Sequence, residues 1–529
     1  MANWTKRWCY AAWLAAIAGF ALLHALNLRA DFPNRSPWSM DWAKYTDEGW
    51  YGNAAIRAHL SGSWYLPGDF NPAVAAPVWP FLEWVLFFFT GVTPQAARGL
   101  AIAGFFCNLG LSYLLLRTSG ARWMALLALT LLVTSPFVYC FSRLAILEPW
   151  LTTFTLAALN LAVRLPRFRR PVWAAGGIGL LFTVMMLTKT TAIFLAPALG
   201  WAVVAPLWKT KKRLFQCVGA AGAAFVASYG AWMALVMRSG LLGDYKYFFY
   251  VNKYPRPAEF YWPLVSLWWS FHGGLWIDWI LVPLAGILVL GAALFFRSGR
   301  ALLPNPLFGP VFGASVLAVA GYIFFMTYQD HPQPRYFAVI AVFCFFIAAM
   351  GTEALLARAA QGTGWRVSGW VAVGLIAIAA CVNGAWTLNY AAHPQYTFVN
   401  AAAELTNYID AHPNGNRLLV SVSGDEITLL THLPALCDDF GTMELPDKLG
   451  MYRPGWFASW NDLDPGTLAD LHTHDSLEQV ASFPAFDDKE RNVLVLFKLH
   501  PLPGGQVRDE GDQDLKVELP DDSFDAPIE

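Results

Sequence analysis

Several groups of residues in this chain have the types and spacing to do chemistry. The first is Tyr45-Thr46-Asp47-Glu48-Gly49-Trp50-Tyr51, shortly after the N-terminal apolar run, with Trp64-Tyr65-Leu66-Pro67 following. An adjacent pair of carboxylates in such a place can act as a general base, hold a divalent cation, or cap a helix. Taken alone, capping or plain solvation is the commoner role. The second group is Ser142-Arg143-Leu144-Ala145-Ile146-Leu147-Glu148-Pro149, between two apolar runs. Ionised groups near bilayer depth are costly, so Arg143 and Glu148 are either functional, structurally paired, or snorkelling to the interface. The third group is cationic: Lys189 in Leu187-Thr188-Lys189-Thr190, and His331, Arg335 and Tyr336 in Gln329-Asp330-His331-Pro332-Gln333-Pro334-Arg335-Tyr336. A phosphate held at an interface needs such partners, and Arg suits it through its planar fork of donors. Each is weak singly, because Lys and Arg also mark ordinary helix ends. Last, Tyr245–Trp276 carries Tyr247, Phe248, Phe249, Tyr250, Tyr261, Trp262, Trp268 and Trp269. Such residues form interfacial belts by default, and they can also stack on sugar rings or cover an isoprenoid.

The elements that must position these groups are apolar. Of 529 residues, 56% are hydrophobic and 14% charged, against roughly 25% charged in a soluble globular domain; mean hydropathy is +0.41. Water is not the main solvent. The net charge of −1 averages basic short loops against an acidic tail, and no nucleic-acid partner is suggested. Cys9, Cys107, Cys140, Cys217, Cys344 and Cys381 sit in or beside apolar runs, and Cys437 stands alone in the polar C-terminal region, so no disulfide framework follows.

Lys6 and Arg7 precede the run Trp8–Leu28, which is long enough to span and lacks a clean cleavage site, so it reads as an uncleaved anchor. Further runs lie near Leu100–Leu116, Trp123–Val138, Ile146–Val163, Val172–Leu187, Ala192–Leu207, Leu214–Val236, Leu275–Phe296, Pro310–Thr327, Tyr336–Leu356 and Val367–Leu388. They predict about eleven transmembrane helices by the length rule. Arg117/Arg122, Arg164/Arg167/Arg169/Arg170, Lys209/Lys211/Lys212/Arg213, Arg297/Arg300 and Arg358/Arg366 then occupy alternate loops, which are cytoplasmic by the positive-inside rule. Val78–Thr90 is apolar but short and carries Glu83; counted as a span, it would invert every later loop. It reads as a juxtamembrane or re-entrant helix. The candidate groups and everything after Asn389 then face outward. There a helix is expected at Phe398–Ile409, a strand at Arg417–Val422, a helix at Thr467–His472 and a strand at Asn492–Leu499. The expected division is a transmembrane domain over 1–388, a small soluble α/β domain over 389–500, and an acidic disordered tail over 501–529.

Jointly these groups are more specific than any one of them. With Asp47-Glu48 after the first span, Arg143 and Glu148 after Thr134-Ser135-Pro136, Leu187-Thr188-Lys189, and Arg335-Tyr336 opening a late span, the chain resembles the GT-C superfamily of membrane glycosyltransferases. The resemblance is to the branch of protein O-mannosyltransferases and the bacterial aminoarabinose transferase of lipid A, over roughly Trp8 to Leu388. It implies a membrane all-α fold with juxtamembrane helices in the first outer loop, and Asp47 as the catalytic residue. Glu148 occupies a second functional acidic position where Asp is common. The chain departs from its relatives at Asn71-Pro72-Ala73, where Lys-Pro-Pro or His-Pro-Pro is frequent, which puts one phosphate or metal contact in doubt.

The implied reaction transfers a sugar from a polyprenyl phosphate to a lipid, glycan or protein acceptor on the outer face, with inversion at the anomeric carbon. Asp47 would take the acceptor's proton. Lys189, Arg335, Arg143 and His331 would neutralise the leaving phosphate, and Glu48 and Glu148 would orient the acceptor or hold a divalent metal ion of unknown identity. With the basic loops cytoplasmic, the expected location is the plasma (inner) membrane as a multi-pass protein, with active site and C-terminal domain periplasmic, or lumenal if the host is a eukaryote. A transporter or flippase of lipid-linked sugars is the alternative, but its usual repeated halves and interrupted helices are not evident. A membrane scaffold, the third reading, leaves the charged outer helix ends unexplained.

Overall fold

Prolines and small polar caps set where the helices begin. In the computed structural model, which describes residues 2–251, 281–297, 303–327, 333–461, 463–488 and 491–502, the chain opens with α1 (Ala2–Leu23), α2 (Asp47–Leu60) and α3 (Val78–Thr90). Thr93 then caps α4 (Pro94–Ser119), its hydroxyl accepting from Ala96 N at 3.2 Å, with Pro94 at the first helical position where its missing N–H costs nothing. The run expected at Trp123–Val138 is two helices, α5 (Arg122–Thr134) and α6 (Pro136–Ser142), bent by 66°. Pro136 cannot donate into the preceding turn, and the Ser135 hydroxyl restarts the helix by accepting from Val138 N. There follow α7 (Glu148–Ala162), α8 (Pro171–Thr188), α9 (Ala196–Leu207) and α10 (Lys211–Arg238), then helices Leu281–Arg297, Phe308–Met326, Phe337–Ala357 and Thr363–Ala392.

Seven helices among the described residues are long and apolar enough to cross a membrane, or eight if the bent pair is one span. Against the expectation of about eleven, three fall short of that length: the apolar part of α1, Arg7–Leu23, which ends before the expected Leu28; α7, with 15 residues; and Leu281–Arg297, with 17, whose expected run Leu275–Phe296 lies partly outside the described residues. The segment Pro334–Gln361 is central, with 83% of its apolar window buried, whereas α10 has only 6% and presents its side chains outward. An all-round apolar helix left uncovered in this way is solvated by lipid, as are Phe89, Trp173 and Phe215. The protein is a multi-pass membrane protein. α3 has 13 residues and tucks its Glu83 fully inside, where a Cβ on Gly52 would stand 2.4 Å from the Glu83 carboxylate. Gly52 is thus what lets α3 lie against α2.

The C-terminal part carries helix Thr397–Ala411 and a mixed five-stranded sheet of β1 (Leu419–Val420), β2 (Ala435–Leu436), β3 (Trp456–Trp460), β4 (Asp475–Pro484) and β5 (Val493–Pro501), in the order β2-β1-β3-β5-β4. β1 pairs parallel with β2 and β3, whereas β5 pairs antiparallel with β3 and β4. The expected helix at Thr467–His472 is Pro465–Leu471, capped by Asp464. Helices Gly424–Thr431 and Leu445–Tyr452 and strands β2, β3 and β4 were not expected. β3 is central and buried almost throughout, so its sequence shows no alternation. The apolar core here is shared with the first loop: Tyr45 packs with Phe398, Trp456, Trp460 and Phe486, and Leu429 with Ala55 and Ile56. The tail after residue 502 lies outside the described residues.

If the basic loops are cytoplasmic, cysteines placed at the exposed positions Ser63 and Glu404 will react with a membrane-impermeant maleimide from one side, and a cysteine at exposed Arg169 from the other. The measurement needs a cysteine-free background, since Cys9, Cys107 and Cys381 are exposed. Labelling of Arg169 and Glu404 positions from the same side would contradict the alternation.

Candidate active site

Asp47 is the first residue of α2 and is almost wholly buried. It does not cap its own helix: one oxygen accepts from the Thr46 hydroxyl at 3.2 Å, and the other lies 2.8 Å from Arg335 Nε. That approach is an ion pair without hydrogen-bond alignment, so Oδ2 keeps a lone pair uncommitted. Arg335 is set by a short 3-10 turn, Pro334–Tyr336, that opens helix Phe337–Ala357. Its other end is held by Asp41, which accepts from the Arg335 backbone N–H and from a guanidinium N–H, each at 2.7 Å. Asp41 also caps the turn Trp42–Lys44 by accepting from Ala43 N at 2.8 Å, so one carboxylate ties the first loop to the Arg335 turn.

Lys189 sits in extended backbone between the end of α8 and the turn Thr190–Leu195, and its ammonium pairs with Glu148, the first residue of α7. The same ammonium lies 4.7 Å from the centre of the Tyr336 ring, and the Arg335 guanidinium 5.1 Å from it. Tyr336 thus stands between the two cations, an arrangement its electron-rich face favours. Asp47, Arg335, Lys189 and Glu148, from segments far apart in sequence, meet where α2, α7 and Phe337–Ala357 begin and α8 ends. Burial pushes the Asp47 carboxyl up to about 6; Arg335 opposes that rise and Asp41 adds to it. The Tyr51 phenol, one turn along α2 from Asp47, is also pushed up by burial and feels the charges of Asp47, Arg335 and Glu148. Glu148 also lines a small cavity of about 30 Å³, together with Phe105, Asn108, Ser142, Thr152 and Val342 among others.

Not every expected residue reaches this point. Glu48 takes a two-pronged contact from Arg98 at 2.7 and 2.6 Å and accepts from Ala145 N at 2.7 Å, so it fastens α2 to α4 and to the segment before α7. Arg143 donates to the carbonyls of Leu26 and Asn27, at 2.5 and 2.8 Å, and to the Tyr139 hydroxyl at 2.8 Å. Its charge is spent on the carbonyls just beyond α1, which explains its depth without a ligand. His331 lies outside the described residues. Asn71, at the position of departure, donates to the carbonyls of Leu66 and Asp69 and to Asp244, and it staples its own loop. Asp41 and Tyr51 were missed. Asp41 has no sequence signal beyond an Asp before a short turn; Tyr51 had one, its four-residue spacing from Asp47 on a helix.

A divalent ion does not fit the carboxylates as they stand. Glu48, Glu148 and Asp47 each already meet a cation of the chain, and no group of three or more His, Cys, Asp or Glu converges among the described residues.

A family profile described as dolichyl-phosphate-mannose-protein mannosyltransferase matches residues 74–232, a stretch that contains Glu148 and Lys189 but neither Asp47 nor Arg335. No curated protein matches the chain. Among solved structures, ArnT from Cupriavidus metallidurans bound to undecaprenyl phosphate is similar at a TM-score of 0.59 and 15% identity, covering 92% of this chain and 98% of that one. The Archaeoglobus fulgidus oligosaccharyltransferase in the apo form is similar at 0.50 and 13% identity, covering 85% and 69%. The archaeal oligosaccharyltransferase AglB from Archaeoglobus fulgidus, in complex with an inhibitory peptide and a dolichol-phosphate, matches at 0.50 and 12%, covering 86% and 70%. The chain has the fold of the GT-C membrane glycosyltransferases.

Proposed function

We propose that this chain is a glycosyltransferase that moves a sugar from a polyprenyl-phosphate donor to an acceptor on the outer face of the membrane, with inversion. The observation that carries the reading is the convergence of a buried carboxylate with a raised pKa, Asp47, and two cations, Arg335 and Lys189, on one point at the helix ends. The GT-C fold and the lipid phosphates held by ArnT and AglB support a donor of this class.

Each group then has a task. The donor phosphate is received between Arg335 and Lys189, beside the Tyr336 ring. As phosphate draws on Arg335, Asp47 loses part of its counter-charge and becomes a stronger base. The acceptor hydroxyl or amine attacks the anomeric carbon as its proton passes to Asp47. The bond from that carbon to the phosphate oxygen breaks, and the second negative charge this leaves on the polyprenyl phosphate is neutralised by the two cations. Attack opposite the leaving group inverts the centre. Glu148 keeps Lys189 aimed. Asp41 holds Arg335 in place.

A base with its pKa at about 6 in the free protein sets an acid limb. Asp47 accepts a proton only when ionised, so kcat/KM rises as pH increases through about 6 and falls tenfold per unit below it. Measuring transfer of a radiolabelled sugar from polyprenyl phosphate across pH 4.5–8 tests this. A flat profile through pH 6 would contradict the assignment.

A further inference from the structure

Helix α2 carries Asp47, yet nothing in its own sequence caps it. Thr46 stands at the capping position but makes no side-chain cap, its hydroxyl turning instead to Trp42 O and Asp47. The orphan N–H of Gly49, the third residue of the helix, is answered from almost four hundred residues away in sequence: the Glu426 carboxylate accepts it at 2.8 Å. That is the donor a capping side chain would ordinarily take. Glu426 belongs to helix Gly424–Thr431 of the C-terminal part, whose backbone presses directly on α2. A Cβ on Gly49 would lie 2.1 Å from Glu426 N and 2.2 Å from the Asp425 carbonyl carbon, so only glycine admits this approach.

The contact continues along one face of α2. Asn53, four residues on from Gly49, donates to Asp425 at 3.0 Å, and Arg57, four further, reaches Asp425 at 2.8 Å and Asp69 at 2.6 Å. Lys448 closes the far end, 3.3 Å from Asp69. All of these groups are buried. Gly49, Asn53 and Arg57 repeat every four residues and face the C-terminal part, while Asp47 and Tyr51, offset by two, face the candidate site. Burying so many charges is costly unless their geometry is fixed, and that fixed geometry is what a base 2.8 Å from its guanidinium partner needs.

We infer that Glu426 is a positioning residue: it caps α2 from the C-terminal part and, with the Asp425–Arg57 pair, sets where Asp47 stands. The inference rests on Asp47 being the base. It makes the C-terminal part a component of the active site and not an appended acceptor-recognition module.

The test compares full-length variants by steady-state transfer and by thermal melting in detergent. Glu426→Ala lowers kcat by about 10–100-fold, the range expected when a catalytic group is displaced by an ångström or less, and leaves the donor KM within about twofold. Glu426→Gln keeps an acceptor oxygen of the same reach and restores most of the lost kcat, while Glu426→Asp, one methylene shorter, falls between the two and serves if the alanine variant does not fold. Gly49→Ala drives the two helices apart, and the Gly49→Ala/Glu426→Ala double variant loses no more than the worse single one. Wild-type kcat in Glu426→Ala or Glu426→Asp beside an inactive Asp47→Asn overturns the inference and spares the base. Glutamine failing as badly as alanine also overturns it, because the charge and not the cap would then matter. An active Asp47→Asn instead removes the reading on which the inference rests.

Discussion

Asp47→Asn abolishes transfer and leaves the melting temperature close to wild type. The amide keeps the shape of the carboxylate and can still point its oxygen at Arg335, but it cannot take the acceptor's proton. Loss of a general base lowers the rate by about 10²–10⁴-fold, and loss of the charge that faces Arg335 adds to this. The fold tolerates the change because Arg335 keeps its paired contacts with Asp41. A cap at this position would have been indifferent to the swap, since Asn caps as well as Asp. The geometry argues against that role, because Asp47 accepts from no N–H of α2 while Glu426 does. Turnover of a labelled polyprenyl-phosphate sugar, measured beside the melt, separates the outcomes: an inactive, folded variant is expected, and near wild-type turnover would remove Asp47 from the chemistry.

Arg335→Ala has the second large effect, and it is a double one. Removing a charged partner of a desolvated phosphate costs about 2–5 kcal/mol, or thirtyfold or more in donor affinity. From the sequence alone one would expect such a variant to fold normally. The structure predicts otherwise, because the guanidinium is shared by two buried carboxylates, Asp41 and Asp47. Leaving these unpaired costs stability, about 3–5 kcal/mol for a broken buried pair, part of which the carboxyls recover by protonating. Arg335→Lys restores the charge but not the fork that reaches both carboxylates, so it recovers stability more than donor affinity. Calorimetric titration with polyprenyl phosphate, alongside melting of each variant, reads both effects. Unchanged affinity in Arg335→Ala would show that the donor phosphate is held elsewhere.

What the sequence disclosed follows from what its solvent rewards. Apolar runs must be helical in lipid because no water is there to satisfy the backbone, so the runs from Leu100–Leu116 to Val367–Leu388 each hold a helix wherever residues are described. The short α3 was equally legible from run length, whereas the bend at Pro136 was not read, because Trp123–Val138 counts as one apolar run despite its proline. The C-terminal sheet was half hidden. β3 is enclosed on both sides and β1 and β2 are two residues each, too short for a period to register. At the site, charges stranded among apolar residues flagged Asp47, Glu148, Lys189 and Arg335, because burial demands a reason. The same signal also raised Glu48 and Arg143, whose reasons are Arg98 and the carbonyls beyond α1. Burial alone cannot tell a partner in the substrate from a partner in the chain. The partnership of Gly49 and Glu426 could not be read at all, since neither residue is unusual until the fold brings them together.

The most direct measurement uses the purified protein in liposomes that carry a polyprenyl-phosphate sugar labelled in the sugar, drawn from a panel of such donors and supplied with membrane-derived acceptors. With one donor of the panel, label should pass to an acceptor, the anomeric configuration of the product should be opposite to that of the donor, and unlabelled polyprenyl phosphate should accumulate in equal amount. Label that stays on its carrier for every donor, or that crosses the bilayer still attached to it, would contradict glycosyl transfer and favour a flippase.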